Sequence, residues 1–78
     1  MAIITGFGNN WTAIGAPTAS AEIWQCTDGI VEITTEAAPQ AADGIRLEAG
    51  RGVPVSQGKT VKYRKVGDTA AVIRREAL

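Results

Sequence analysis

Apolar and polar residues alternate with a period of two along much of this chain, the spacing of half-buried β-strands rather than of helices. Residues 21–27 and 30–35 carry the clearest pattern and flank Asp28-Gly29, a favoured two-residue hairpin turn. That turn predicts an antiparallel hairpin in which Cys26 faces Val31, Trp24 faces Ile33 and Glu22 faces Thr35. Trp24, Cys26, Val31 and Ile33 then share an apolar face, with Ile23, Gln25, Glu32 and Thr34 on the other. A second hairpin is predicted for residues 60–66 and 69–74 through Gly67-Asp68, with Val61, Tyr63 and Val72 inward and Lys62 and Arg64 outward. Residues 45–48 and 53–56 read as two further short strands. Pro54 cannot donate to a ladder, so the second of these is expected at a sheet edge. The alanine-rich residues 37–44 are broken by Pro39 and closed by Gly44, which leaves room for one helical turn at most. Turn signals recur every 8–12 residues or so, the spacing of a small antiparallel β-sandwich or partly open barrel. The expected fold class is therefore all-β.

Length changes the picture by making the core thin. At 78 residues the chain is one domain, and a domain of this size buries only about 60–65% of the surface its unfolded form exposes. Cys26 is the single cysteine and there is no histidine, so neither an intrachain disulfide nor a structural zinc site is expected, and no cofactor is implied. Association with partner chains is the remaining source of stability. No run approaches the roughly 18 apolar residues of a membrane span. The first residues, Met1-Ala2-Ile3-Ile4-Thr5-Gly6, lack the basic and apolar regions of a signal peptide. Synthesis in the cytoplasm and no membrane partner are expected.

Charge is balanced but split. Residues 1–45 hold five acids and no Lys or Arg, while residues 46–78 hold eight bases and three acids, so the halves carry −5 and +5. This asymmetry implies charge complementarity, either between the halves of one fold or between neighbouring copies. The first twenty-one residues carry no charged side chain. Residues 1–20 are accordingly read as an extended N-terminal arm lying against another surface, and residues 21–78 as the β domain.

Catalytic chemistry is sparse. Without histidine no serine or cysteine triad of the usual kind can be assembled. Cys26 falls on the apolar face beside Trp24 and reads as a buried thiol, while Glu22, Glu32 and Glu36 read as solvated acids on a sheet. Gly6-Phe7-Gly8-Asn9-Asn10 resembles the start of a phosphate loop but lacks the Lys-Ser/Thr that would follow and a helix behind it. Lys62, Tyr63, Arg64, Lys65, Arg74 and Arg75 could form a basic strand face with a stacking aromatic, as in single-strand binders. Zero net charge argues against nucleic acid. Trp11 and Trp24 are the candidate sugar platforms, with Trp24 better explained as core. No catalytic, cofactor or metal residue is assigned, and the chain is read as a non-enzyme.

The arrangement as a whole resembles a known class. Trp11-Thr12-Ala13-Ile14, then Ile23-Trp24-Gln25-Cys26-Thr27-Asp28-Gly29, leads into Ala37-Ala38-Pro39-Gln40-Ala41-Ala42-Asp43-Gly44-Ile45-Arg46-Leu47, a Gly-punctuated strand at residues 50–56, another at 61–64 and a final valine-rich strand. This is similar to small β-rich virion proteins encoded in tailed-phage and prophage structural clusters, especially head-decoration (capsid cement) proteins. Tail and spike components share the style. The resemblance implies a homotrimer on the outer capsid surface, bound to the major capsid protein and clamping neighbouring capsomers. On that reading Phe7, Trp11 and Ile14 contact neighbours, and Arg46, Arg51, Arg64, Arg74 and Arg75 provide polar docking. A small recognition module for carbohydrate or single-stranded nucleic acid is the alternative. Its test is whether Trp11 and Tyr63 keep a ring face open.

Overall fold

A computed structural model describes residues 2–40 and 42–78; Met1, and Ala41 within the alanine-rich stretch, lie outside these. Among the described residues there is no helix and there are eight strands: β1 (Ala2–Ile4), β2 (Thr12–Ala13), β3 (Glu22–Asp28), β4 (Ile30–Thr34), β5 (Ile45–Glu48), β6 (Gly52–Val55), β7 (Lys62–Lys65) and β8 (Val72–Ala77). They form two four-stranded antiparallel sheets, ordered β1-β8-β3-β6 and β2-β7-β4-β5. The all-β sandwich expected from the alternation is what the chain adopts.

Its connectivity differs from the sequence expectation. β3 and β4 are not paired with each other. β3 pairs with β6 and β8, and β4 pairs with β5 and β7. The predicted 60–74 hairpin is likewise absent, because β7 and β8 lie in different sheets. The reason at Asp28-Gly29 is local. A type I′ hairpin needs positive φ at both central residues, yet no residue other than glycine has positive φ among those described, so Asp28 stays extended and only Gly29 (φ 71°) turns. The chain thus steps from one sheet into the other instead of doubling back beside itself. At Gly67-Asp68 the strands stop earlier than predicted, at Lys65, and restart at Val72, leaving a six-residue crossing.

Stepping between sheets preserves the inward set while changing its partners. Trp24 and Cys26 on β3 now face Val31 and Ile33 on β4 across the core, and all four are buried. Val61 and Tyr63 are inward as predicted, but Ala71, just before the last strand, and Ile73 on it are buried, and Val72 is only half-buried. The correction follows from the crossing: β8 takes its register from β3, where Ile73 sits opposite Cys26, and not from β7. Pro54 does lie on an edge strand, β6.

The expected extended arm is not seen. Residues 2–4 pair with β8 and residues 12–13 with β7, so the uncharged N-terminal segment supplies the outer strand of each sheet. Most of its residues remain exposed, and a few side chains anchor it to its own domain. Phe7 and Ile14 lie against the core, and Phe7 meets Tyr63 edge-on at 5.1 Å between ring centroids. Asn9 closes the reversal between β1 and β2 by donating from Nδ2 to the carbonyls of Lys65 (3.2 Å) and Gly67 (3.0 Å).

The crossing at Gly29 is sterically closed. A Cβ there would lie 2.7 Å from the Ala70 carbonyl oxygen and 3.0 Å from the Ala71 Cα, whereas at Gly58, also at positive φ (80°), nothing lies within 4 Å. Gly58→Ala carries the left-handed backbone cost alone, about 1–2 kcal/mol. Gly29→Ala adds overpacking against backbone, a further ~1–3 kcal/mol. Urea unfolding of the two variants is expected to show Gly29→Ala clearly the less stable.

Candidate functional site

Three ion pairs engage Arg64, Arg74 and Arg75 among the arginines singled out in the sequence. At one end of the core Glu22 and Arg75 point between the sheets beside Trp24. Arg75 donates from Nε to Glu22 Oε1 (3.0 Å) and from Nη2 to Oε2 (3.1 Å), and the Trp24 indole Nε1 donates to the same carboxylate at 3.0 Å. The Arg75 guanidinium sits 4.8 Å from the Trp24 ring centroid, a cation–π contact. On the outer face of the second sheet, Arg64 donates to Glu32 Oε1 from Nε (2.8 Å) and Nη2 (2.6 Å), and its guanidinium lies 4.2 Å from the centre of the Trp11 ring. Gly44 makes room for this stack: a Cβ there would come within 2.7 Å of Glu32 Cβ and 2.8 Å of the Trp11 ring. The third pair, Arg74–Glu76 (2.6 Å), is the most exposed of the three.

Two of these pairs, Glu22–Arg75 and Glu32–Arg64, join the acidic half of the sequence to the basic half. The charge split is therefore answered at least in part within one fold. Arg64, Arg74 and Arg75 are each engaged by a carboxylate of their own chain, and Trp11 is half-buried over Arg64. Tyr63, the aromatic of the basic strand face, is 9% exposed and packs between Phe7 and Trp24.

Three further cations lie outside these clusters, and one of them, Arg46, is registered opposite Glu32 and so shares the outer sheet face with Arg64. Among the described residues, Arg46, Arg51 and Lys59 are the basic side chains with neither an ion pair nor a hydrogen bond from the side chain, and all three are exposed. Arg46 is on β5, Arg51 is in the turn to β6, and Lys59 lines a groove of about 360 Å³ between the edges of β5 and β6. The two edges are joined at one end by the 49–51 turn, where Cys26 accepts from Gly50 N (2.8 Å) and donates to Arg51 O (2.9 Å) through its backbone. They diverge toward Ile45 and Val55. Ile33, Val53, Val55, Val61 and the 54% exposed Ile45 are its apolar lining, and Glu36, Asp43 and Lys59 are its charged lining.

Several contributors to this side were not singled out in the sequence. Thr18 is buried and holds the 56–59 turn in place: its hydroxyl donates to Ser56 O (2.7 Å) and accepts from Lys59 N (3.1 Å). Ile45 and Lys59 carry no motif and become a site only when β5 and β6 are placed as facing edges. Pro54 was the available signal, since it marked its strand as an edge.

Cys26 is the only nucleophilic thiol. Its Sγ is buried and within 3.2 Å of Asp28 O and 3.4 Å of Gly29 O, and burial pushes its pKa up. A raised pKa leaves little thiolate at neutral pH, which makes the group a poor nucleophile. Among the described residues no three His, Cys, Asp or Glu side chains are grouped as a metal site would require, and no helix is long and apolar enough to cross a membrane. No protein-family model matches the chain, and no curated protein or solved structure matches it either.

The buried thiol gives stability a definite pH dependence. Below the ordinary thiol pKa of about 8.5, folded and unfolded chains both keep the proton; above it the unfolded chain ionises first. The Cys26 contribution is thus expected to be constant at neutral pH and to fall at up to about 1.4 kcal/mol per pH unit once the pH passes that value. Comparing urea unfolding of the wild type with Cys26→Ala across this range isolates the effect, which the variant should lack.

Proposed function

We propose that this chain is a non-enzymatic structural protein of a virus particle: a head-decoration (cement) protein that binds the outer capsid surface as an oligomer and clamps neighbouring capsomers. The family resemblance in the sequence supports the setting. The observation in the structure that carries the reading is the β5/β6 side, where an apolar groove is lined by the exposed Ile45 and by Lys59, Glu36 and Asp43, and a separate shallow depression is lined by the unpaired Arg46 and Arg51. Apolar surface with charged side chains beside it is the anatomy of a protein–protein contact.

The arginines divide by role on this reading. Arg64, Arg74 and Arg75 build the domain, whereas Arg46 and Arg51 are free to meet a partner. Phe7 and Ile14 contribute to the domain's own core, and Trp11 to its outer sheet face. The recognition-module alternative draws little support from the same geometry, because Tyr63 offers no open face and one face of Trp11 carries Arg64.

Co-expression with the major capsid protein of the candidate virus, followed by sedimentation of the assembled shells, tests the proposal. The wild-type chain is expected to pellet with shells. Arg51→Glu combined with Lys59→Glu is expected to lower occupancy about tenfold, the scale of reversing two exposed, unpaired charges, with an unchanged unfolding midpoint. A chain that stays in the supernatant, or a charge-reversed variant that binds equally well, overturns the reading. Pelleting with tail assemblies instead of heads would place it among tail components.

A further inference from the structure

Of the four sheet edges, three are poorly suited to pairing with another strand. β6 carries Pro54, β1 has three residues and β2 has two. β5 has four residues in regular register with β4 and no proline. Which of its backbone groups face outward follows from its neighbour. On β4 the Ile30 carbonyl accepts from Val66 N (2.9 Å) on the β7 side, so Ile30 and Glu32 bond toward β7 and Val31 and Ile33 toward β5. Their β5 partners are Leu47 and Ile45, which leaves the N–H and C=O groups of Arg46 and Glu48 directed away from the sheet. In agreement, the Glu48 carbonyl accepts from Arg51 N (2.9 Å) outside the ladder.

We propose that this edge pairs with the β5 edge of a second copy, antiparallel, about a two-fold axis at Leu47. That axis sets Arg46 opposite Glu48 of the second copy and Glu48 opposite its Arg46, while the two Leu47 residues face each other as a non-hydrogen-bonded pair. Backbone and side-chain requirements then coincide. Arg46 and Glu48 are the residues with outward backbone groups, and they meet as two hydrogen-bonded pairs, the Glu48 carbonyl using its second lone pair. Both side chains are exposed on the outer face of the sheet, and neither has an ion-pair partner in its own chain. Moving the axis to Arg46 would set the two Arg46 side chains against each other, which like charge disfavours. Ile45, inward-facing yet 54% exposed because the sheet ends beside it, would be covered by Ala49 of the second copy. The product is an eight-stranded sheet running through both molecules, closed by its symmetry and unable to grow further at this edge.

The partner is a second copy because the edge is self-complementary: one cation and one anion flank a central apolar residue. A strand pairing this short buries less than the ~1,000 Å² of a stable interface, so the association is weak and concentration-dependent. The inference rests on the oligomeric part of the reading above and not on the shell.

Sedimentation velocity of the full chain over rising concentration should show a reversible monomer–dimer equilibrium. Arg46→Glu and Glu48→Arg should each weaken it at least tenfold. An equimolar mixture of the two variants should associate again, since the acidic chain then meets the basic chain at both cross-strand positions. Independently of any variant, exchange of the Arg46 and Glu48 amides should slow as wild-type concentration rises. A monomer at every concentration, a trimer, or a mixture no stronger than either variant alone overturns the proposal. Shell binding by a chain that stays monomeric would do so and remove the oligomeric part of the cement reading, while leaving its shell-binding part intact. A dimer that ignores shells would do the reverse.

Discussion

Gly29 is where the chain leaves one sheet and enters the other, and the rest of the sandwich is arranged around that step. With Asp28 still extended and a single left-handed glycine, β3 and β4 cannot exchange backbone hydrogen bonds, so each must find them elsewhere. β3 obtains them from β6 and β8, and β4 from β5 and β7. The same step recurs between β1 and β2, β5 and β6, and β7 and β8, so both sheet orders list one member of each pair in matching positions. Successive strands meet through side chains across the core, and almost all backbone pairing is distant in sequence. Only β4 and β5 are consecutive and paired. Folding of such a chain must close long loops before most of its ladders form, which places it among the slower small-domain topologies.

Two Trp–Arg–Glu clusters finish what a thin core cannot. Trp24, Arg75 and Glu22 close one end of the space between the sheets, where the indole N–H and the guanidinium both need an acceptor and one carboxylate serves both. Trp11, Arg64 and Glu32 repeat the combination on an outer face, where the ring covers the ion pair and a glycine at position 44 lets it lie flat. In each cluster the arginine comes from the basic half of the sequence and the carboxylate from the acidic half. The charge split is therefore tied to topology: early strands supply acids, late strands supply bases, and the sheet orders bring them side by side.

Much of this was legible in the alternation, and its limit is also physical. Period-two patterning fixes which face of a strand is apolar, so the inward positions of Trp24, Cys26, Val31, Ile33, Val61 and Tyr63 and the edge position of Pro54 were readable. It is silent on whether two apolar faces lie side by side in one sheet or opposite each other in two, because both arrangements need the same alternation. Asp28-Gly29 tipped the reading toward a hairpin, and the φ of Asp28 decided otherwise. The error at Val72 was inherited, since register read from a turn is lost when the turn is not formed. The uncharged N-terminus stood out in the sequence, but that its two short strands pair with the chain's own β8 and β7 was not readable, because nothing in an uncharged run says which ladder it joins. The Glu22–Arg75 and Glu32–Arg64 pairings were beyond reach for another reason, as they join residues about thirty to fifty positions apart that only the crossed topology makes neighbours.

An open sandwich of this size has four edges to manage, and the way each is treated bears on how the molecule meets others. Proline and shortness blunt β6, β1 and β2 without help from charge. β5 lacks both devices and carries instead one charge of each sign on its outer face. Like charges on an edge repel any approaching copy of that edge, whereas an alternating pair repels some registers and favours one. Such an edge resists indiscriminate pairing while admitting a specific neighbour, and a contact that holds two free molecules only weakly gains strength when many copies are held on a common surface.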